Sequence, residues 1–384
     1  MGFDFQEYQN RVNLFQEKLK SLNIDAALVN QVADLYYFTG TAQNCHLFVP
    51  AEGKPFVMAY KDKERAKNES VWETRPITSL KQIPEFIKEA GYSDIKRLGL
   101  EIDVLSWKMG LRYQQMFPGT EWEDVSPIIR NIRAVKSEAE LEAVRYSAQK
   151  LSKVFRFIKC LAKPGMSELE IAAEFESYAR KLGNQSTVRF RGVEQGMKGG
   201  MVAAGANSAR TSRFDTPLAG LGLTALYPTG SSQHRWEEGE VLMVDYPGIF
   251  GDYIVDQTRT YFAGEVDPKL KKAQEVVEEI INRVAEAAKP GAVTGELYEM
   301  AVKMAEKAGF GEHFMGYGFQ APYIGHGLGL ELNELPVLAK GDKTVLKENM
   351  VFAMEPKIAF PGLGSAGIEN TYVVTKNGAV ALTE

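Results

Sequence analysis

A motif that occurs twice in the second half of the chain places the strongest limit on its fold. The tetrapeptide Ala-Lys-Pro-Gly stands at Ala162–Gly165 and again at Ala288–Gly291. Each copy lies between an amphipathic helix pattern and a second helix, predicted over Ser167–Leu182 and Thr294–Ala308. A glycine-rich stretch and an apolar strand that bears a carboxylate follow each pair of helices, which favours an internal duplication. We expect two similar halves packed around a pseudo-twofold axis that brings their acidic strands together.

The acidic strands predict a metal site. Val241–Asp245 and Val351–Glu355 each begin a hairpin, and a second carboxylate follows the turn, Asp256 in one hairpin and Glu369 in the other. Apolar strands of this kind are buried on at least one face, and a buried carboxylate without a partner is costly. Two divalent cations would balance the four negative charges, so the pattern predicts a dinuclear site. The alternative is four unrelated acids at strand ends, facing solvent.

A histidine among glycines adds a nitrogen donor to these acids. His326 lies in the segment Gly325–Gly329, where the flanking glycines would let the backbone pack close to a ligand. In such a setting the histidine is either structural or a metal ligand. One nitrogen with several carboxylate oxygens suits Mn, Co, Fe or Zn better than Ca.

The first part of the chain has a different pattern. Helix and strand signals alternate over residues 1–130, which is typical of an α/β layer domain. Ser137 and Glu140 have the spacing of a capping box at the start of a long helix. We therefore expect an α+β protein with an α/β domain at 1–132 and a second domain at 133–384.

Composition excludes several classes of protein. The 384 residues include 45 basic and 50 acidic side chains, and the net charge of −5 argues against nucleic acid as the main partner. No apolar run approaches the about 20 residues that span a bilayer, and the N-terminus lacks the pattern of a signal peptide. Cys45 and Cys160 do not form a disulfide framework. These observations predict a cytoplasmic protein that binds neither nucleic acid nor membrane.

Together the acidic strands and the histidine carry a family resemblance. Asp245 and Asp256, His326 in GHGLGLE, Glu355 in MEP and Glu369 in GIEN resemble the motifs of the pita-bread metallopeptidases, in the branch of creatinase, prolidase and Xaa-Pro aminopeptidase. The resemblance implies a creatinase/prolidase-like N-terminal domain, a pita-bread catalytic domain and a homodimer. It implies that Asp256 and Glu369 bridge two divalent metals, Mn or Co before Zn or Fe, with Asp245 completing one site and His326 and Glu355 the other. Glu355 would then be the general base for a metal-held water.

Four positions depart from the proline-cleaving members of this family. Where those members carry further histidines, this chain has Thr229, Pro322 and Asn333, and Gly367 replaces an arginine before the last glutamate. Asn333 can donate a hydrogen bond to an oxyanion but cannot transfer a proton. The candidate catalytic residues are Glu355, His326 and Asn333.

The resemblance to Xaa-Pro aminopeptidase and prolidase implies a dinuclear metal-dependent hydrolase of short peptides or peptide-like amides. Because of the four departures, another chemistry on the same site stays open, either cleavage of a different C–N bond or a lyase reaction. A non-catalytic binding protein is a third alternative.

Other basic side chains have two interpretations each. Arginines in or near the loop 192–239 are either solvated or bind a substrate carboxylate, for which a guanidinium is well matched. His234 and His313 either replace the missing histidines or lie at the surface. The arginines are Arg189, Arg191, Arg210 and Arg213.

Overall fold

The computed structural model of the chain describes residues 2–192, 200–211 and 216–384. These residues form two compact units that divide after Arg133. Helices and strands occur in both units, and the predicted α+β class is confirmed. Within the described ranges, no helix combines the length and apolar character needed to cross a bilayer.

The N-terminal unit is built on a mixed sheet. Its strand order is β4-β3-β2-β1-β5-β6, and the strands are β1 (Ala26–Val29), β2 (Cys45–Pro50), β3 (Phe56–Ala59), β4 (Thr74–Pro76), β5 (Arg97–Leu100) and β6 (Glu121–Asp124). The helices are α1 (Phe5–Ser21), α2 (Val32–Thr39), α3 (Lys63–Glu69), α4 (Ile83–Glu89), α5 (Trp107–Met116) and α6 (Ser126–Ala134).

A buried apolar cluster joins the sheet of this unit to its helices. Leu28, Phe48 and Leu98 on the strands pack with Ile87 of α4 and Tyr113 of α5. The run VADLYYFT of α2 is mostly apolar and has no clear helical period. The edge strands β4 and β6 are short and hold polar residues, so they too lack a clear sequence pattern.

The C-terminal unit contains two helix pairs and two main sheets. The helices are α7 (Glu138–Leu161), α8 (Glu168–Lys181), α9 (Pro268–Ala287) and α10 (Thr294–Lys307). One sheet has the order β7-β8-β9, with β7 (Met201–Ala204), β8 (Val241–Ile249) and β9 (Ile254–Phe262). The other has the order β11-β10-β12-β15-β16, with β10 (Tyr323–Gly327), β11 (Glu334–Ala339), β12 (Val351–Met354), β15 (Asn370–Thr375) and β16 (Gly378–Ala381). A separate hairpin joins β13 (Lys357–Phe360) to β14 (Gly364–Gly367).

The capping box predicted for the long helix is present at the start of α7. Ser137 Oγ accepts from Glu140 N at 3.2 Å, and Glu140 Oε2 accepts from Ser137 N at 3.0 Å. This reciprocal pair satisfies two backbone donors that the first turn of a helix leaves without partners. The residues predicted to form the metal site lie in the same unit as this helix.

The internal duplication is confirmed in the hydrogen bonds of the repeated turn. Gly165 and Gly291 end the two copies, and both adopt the left-handed conformation, with φ of 95° and 96°. Gly165 N donates to Trp236 O at 2.7 Å, and Gly291 N donates to Leu346 O at 2.9 Å. Each acceptor lies in the loop just before an acidic strand, β8 in the first half and β12 in the second. The turn therefore fixes the start of the acidic strand in the same way in both halves.

Candidate metal centre

The five residues predicted as metal ligands come from five different positions of the two main sheets. Asp245 lies in β8 and Asp256 in β9, His326 lies in β10, Glu355 follows β12 and Glu369 precedes β15. Reciprocal backbone hydrogen bonds between Thr258 and Glu369 join β9 to the second sheet, at 3.3 and 3.1 Å. The duplicated halves therefore meet along the strands that carry the acids.

The structure brings these five side chains together. Donor atoms of Asp256, His326 and Glu369 all lie within 4.8 Å of one another, and so do those of Asp245, Glu355 and Glu369. Asp256, Glu355 and Glu369 are buried, with 5%, 4% and 1% of their surface exposed. The alternative of solvent-facing acids at strand ends is therefore wrong for these three.

His326 is held in the orientation of a metal ligand. Its Nδ1 lies 2.8 Å from Leu332 O, and since a carbonyl only accepts, Nδ1 carries the proton. The lone pair is then on Nε2, which lies 3.6 Å from Glu355 Oε1. A backbone carbonyl on the far nitrogen is the usual way in which a metal-binding histidine is oriented.

The glycines beside His326 let its strand pack closely against two neighbouring strands. A Cβ at Gly325 would lie 2.4 Å from Ala353 O, and a Cβ at Gly327 would lie 2.3 Å from the Leu335 carbonyl. The two glycines therefore let β10 approach the neighbouring strands β12 and β11. Their effect on the centre is to set the position of His326.

Two of the acids lie in an electrostatically unfavourable place. Burial, and then the charges of Asp245 and Glu355, raise the pKa of Asp256 well above its ordinary value. Burial, and then the charges of Asp256 and Glu355, raise the pKa of Glu369 in the same direction. Carboxylates that share a low-dielectric site attract a proton or a cation, because either one relieves their repulsion.

Hydrogen bonds fix the orientation of Glu369. Thr258 Oγ1 donates to Glu369 Oε2 at 2.6 Å. The Arg259 guanidinium donates to Glu369 O at 2.7 Å and to Asn370 Oδ1 at 2.8 Å. Glu369 is thus positioned from both its side chain and its backbone.

Lys357 is a residue of the centre that the sequence analysis missed. Its Nζ lies 2.8 Å from Asp245 Oδ2, 2.6 Å from Glu355 Oε2 and 3.8 Å from Glu369 Oε2. The side chain is 1% exposed. Burial acts to lower the pKa of Lys357, but the carboxylates of Asp245, Glu355 and Glu369 outweigh it and hold this pKa well above the ordinary value. The ammonium is therefore charged at neutral pH.

The pairing of β13 with β14 makes room for this lysine. Lys357 and Gly367 are directly opposite each other in the hairpin, and a Cβ at Gly367 would lie 2.8 Å from Lys357 Cγ. One of the four departures noted in the sequence, Gly367, is thus the cross-strand partner of the unexpected lysine. The available signal was the period of a strand, since residues two apart share a face and Lys357 stands two after Glu355.

Among the described residues, none of the three remaining departures forms a hydrogen bond with the acids of the centre. Thr229 is half-buried, Pro322 is exposed, and Asn333 is exposed with its Oδ1 accepting from Arg191 N at 3.1 Å. His234 Nε2 pairs with Glu240 at 2.9 Å, and His313 Nδ1 donates to Ala359 O at 2.8 Å. Each of these two histidines is already bonded to a partner outside the five predicted ligands.

The loop arginines differ in their surroundings. Arg191 pairs with Glu331 at 3.7 Å, and its side chain is 6% exposed. Arg189 and Arg210 are exposed. Arg213 lies outside the described residues. Of the three that are described, the exposed pair is available to a substrate carboxylate.

The residues of the centre fit one metal position better than two. Asp256, His326 and Glu369 offer one nitrogen and several oxygens, a donor set suited to Mn, Co, Fe or Zn. Asp245, Glu355 and Glu369 would form the second position, but these are the acids that Lys357 Nζ contacts. A cation at the second position would have to displace the ammonium.

Comparisons with known proteins place the chain in a family. Residues 142–376 match Metallopeptidase family M24, and residues 11–135 match the Creatinase/Prolidase N-terminal domain. The Xaa-Pro dipeptidase of Pyrococcus furiosus is 29% identical over 364 residues, which are 94% of this chain and 94% of that protein.

Solved structures agree with the sequence matches. The prolidase from Pyrococcus horikoshii superposes with a TM-score of 0.82 at 26% identity, covering 98% of both chains. The Xaa-Pro dipeptidase from Bacillus anthracis superposes with a TM-score of 0.84 at 25% identity, also covering 98% of both chains. The chain therefore belongs to metallopeptidase family M24 and is a peptidase-type hydrolase with the pita-bread fold and a creatinase/prolidase-type N-terminal domain.

Proposed function

We propose that this hydrolase cleaves the amide bond of short peptides, with Xaa-Pro dipeptides as the first substrates to test. The observation that carries the proposal is the convergence of the buried acids Asp256, Glu355 and Glu369 with the half-buried His326 in a fold of family M24. Relatives aligned over almost the whole chain are named as Xaa-Pro dipeptidases. Their substrate is a proposal for this chain, because four positions near the centre differ from the pattern of proline-cleaving members.

Family membership implies divalent metal at the centre, and we propose Mn or Co as its identity, with Zn and Fe as the next candidates. The nitrogen of His326 and the oxygens of Asp256 and Glu369 support this choice, since softer ions prefer sulfur ligands and Ca prefers oxygen alone. When bound, such an ion supplies a polarised water at neutral pH and stabilises negative charge on an attacked carbonyl oxygen. The sequence predicts two ions, and Lys357 bears directly on that number.

Glu355 is the residue best placed to accept a proton. Its Oε2 is held by Lys357 Nζ at 2.6 Å, and its Oε1 faces His326 Nε2 at 3.6 Å. One oxygen is therefore fixed by the ammonium, and the other is aimed at the group of Asp256, His326 and Glu369. This arrangement suits a general base that acts on a water held at that group.

Asn333 is proposed as a hydrogen-bond donor to the substrate. Its Oδ1 accepts from Arg191 N, which turns the amide and leaves Nδ2 able to donate. The side chain is exposed, and Asn333 stands seven residues after His326. Its neighbour Leu332 is tied to that histidine, because Leu332 O accepts from His326 Nδ1. It can stabilise an oxyanion, but it cannot deliver a proton to the leaving amine.

Hydrolysis of a matched peptide panel tests the proposal. Xaa-Pro dipeptides would be compared with Xaa-Ala dipeptides after reconstitution with Mn or Co, using Glu355→Gln as the control. We expect metal-dependent cleavage of the proline series and a loss of about 10²–10⁴-fold in kcat for Glu355→Gln, the usual contribution of a general base. Cleavage that persists in Glu355→Gln would contradict the assigned role of this residue.

A second enzyme chemistry is favoured by one observation, the ammonium of Lys357 inside the centre. A cation fixed next to the acids could stabilise negative charge that develops during cleavage of a different C–N bond or during a lyase reaction. A chain that binds metal but cleaves neither peptide series would favour this alternative. If, in addition, a broad amide and lyase panel gave no turnover, a binding protein would remain.

Two further properties are proposals. We propose a homodimer, as the N-terminal domain of this branch implies. We also propose a cytoplasmic location, since Cys45 and Cys160 are both free, as is usual in a reducing compartment.

A further inference from the structure

The ammonium of Lys357 occupies one half of the centre. Its Nζ lies within 4 Å of Asp245, Glu355 and Glu369, at 2.8, 2.6 and 3.8 Å. These three acids are one of the two groups whose donor atoms converge closely enough to hold an ion. The lysine thus contacts the same three carboxylates that a cation in this half would need.

The other half of the centre is left open to a metal ion. Asp256 and His326 belong to it with Glu369, and among the described residues no basic nitrogen forms an ion pair with Asp256. His326 carries its lone pair on Nε2, because Nδ1 donates to Leu332 O at 2.8 Å. A cation here would gain one nitrogen and at least two carboxylates without displacing the lysine.

Repulsion between cations favours one divalent ion over two. Four carboxylates and one ammonium leave three negative charges at the centre. One divalent cation leaves one negative charge. Two such cations would leave one positive charge and would place the second ion against the ammonium, where like charges repel in a buried setting.

We propose that Lys357 takes the place of one of two divalent cations, so that the chain binds a single divalent metal at Asp256, His326 and Glu369. Gly367 belongs to this arrangement, because a side chain at that position would meet Lys357 Cγ at 2.8 Å. The ammonium holds Asp245 and Glu355 in the place where a second metal would otherwise hold them.

Metal content tests this proposal without substrate, so that a failure of peptide hydrolysis leaves it standing. The metal-free chain would be dialysed against excess Mn, washed free of unbound ion and analysed for metal per chain. We expect about one ion for the wild type and about two for Lys357→Met, which removes the charge and keeps an apolar stem. Lys136→Met is the matched control, since Lys136 is also buried and pairs with Glu334 at 3.0 Å, and it should keep one ion.

Three results of this count would overturn the proposal. Two ions in the wild type would show that the ammonium is displaced. No ion in the wild type would show that the open half does not bind metal. One ion in Lys357→Met, with an unchanged circular dichroism spectrum, would show that the lysine does not limit the number.

A second pair of variants keeps the lysine and so covers the case in which Lys357→Met does not fold. By calorimetric titration with Mn, Asp245→Asn should keep one ion with its affinity within about tenfold, because Asp245 holds only the ammonium. His326→Ala should weaken binding by more than about 100-fold, beyond the roughly 10–100-fold loss that is typical when an indirect contact to a metal is removed. The reverse order of these two effects would place the metal in the half that contains the lysine and would contradict the proposal.

Discussion

Two buried basic side chains among the described residues are paired with acids of their own unit. Arg133 donates to Asp34 in the N-terminal unit, and both side chains are almost completely buried. Lys357 does the same for the acids of the centre. A buried charge without a partner is strongly destabilising. The presence of Lys357 therefore decides how much negative charge at the centre remains for a metal ion to balance.

His46 of the N-terminal unit makes stability depend on pH. Its ring is buried, and its Nε2 lies 2.6 Å from the Tyr113 hydroxyl. Burial lowers the pKa of His46 from 6.5 to about 4. His46 therefore binds a proton near pH 6.5 in the unfolded chain but only near pH 4 in the folded chain. The free energy of unfolding is therefore unaffected by this titration above pH 6.5, and it falls by up to about 3 kcal/mol as the pH decreases toward 4.

Urea denaturation between pH 7.5 and pH 4.5 checks this prediction, with His46→Gln as the comparison. The wild type should lose more free energy of unfolding over this range than the variant, which has no ring to protonate. The difference between wild type and variant separates the effect of His46 from that of Glu101. Burial raises the pKa of Glu101, so protonation of Glu101 changes the free energy of unfolding in the opposite direction. Equal losses in both proteins would contradict the prediction.

At the scale of elements, the spacing between β10 and β12 depends on glycine. A Cβ at Gly325 would lie 2.4 Å from Ala353 O, which is a backbone atom and cannot move aside cheaply. We expect Gly325→Ala to lower the free energy of unfolding by about 1–3 kcal/mol, the usual cost of overpacking. Because Gly325 precedes His326, metal binding should weaken as well.

Gly110→Ala is the control for this substitution. The nearest atom to a Cβ at Gly110 is Leu105 Cδ2 at 3.8 Å, an ordinary contact. Gly110 lies within α5, where alanine is favoured over glycine. Chemical denaturation should find this variant as stable as the wild type or more so. If Gly325→Ala is equally stable, close approach of the two strands is not required.

The elements show which parts of the fold the sequence could predict. The repeated turn was recognisable because Gly165 and Gly291 stand in identical tetrapeptides, and the structure gives them matching φ angles. The acidic strands were recognisable because a carboxylate interrupts each apolar pattern. Both signals are local, so they survive in a single sequence.

The role of Lys357 could not be predicted in the same way. Its partners Asp245 and Glu369 lie in other strands, and the space for its stem depends on Gly367 across the hairpin. These are consequences of register and of packing between sheets, which no local pattern records. The absence of an arginine at Gly367 was noticed from the sequence, but its reason is visible only across the strand pair.

At the scale of the whole molecule, the chain is expected to be a dimer. Leu221, Leu223, Leu226 and Tyr227 are 55%, 57%, 77% and 64% exposed, and such apolar surface is typical of an interaction site. Sedimentation equilibrium should give a mass of twice 42.7 kDa. A mass of 42.7 kDa at every micromolar concentration would contradict the prediction.

Hydrolysis of an Xaa-Pro dipeptide, followed while the metal-free chain is titrated with Mn from zero to three equivalents, tests the central claim most directly. A hydrolytic centre with one metal position beside Lys357 predicts a rate that rises in proportion to bound metal and reaches its plateau at one equivalent. No hydrolysis at any occupancy would contradict the peptidase activity. A rate that continues to rise to two equivalents would contradict the role of the lysine as the second cation.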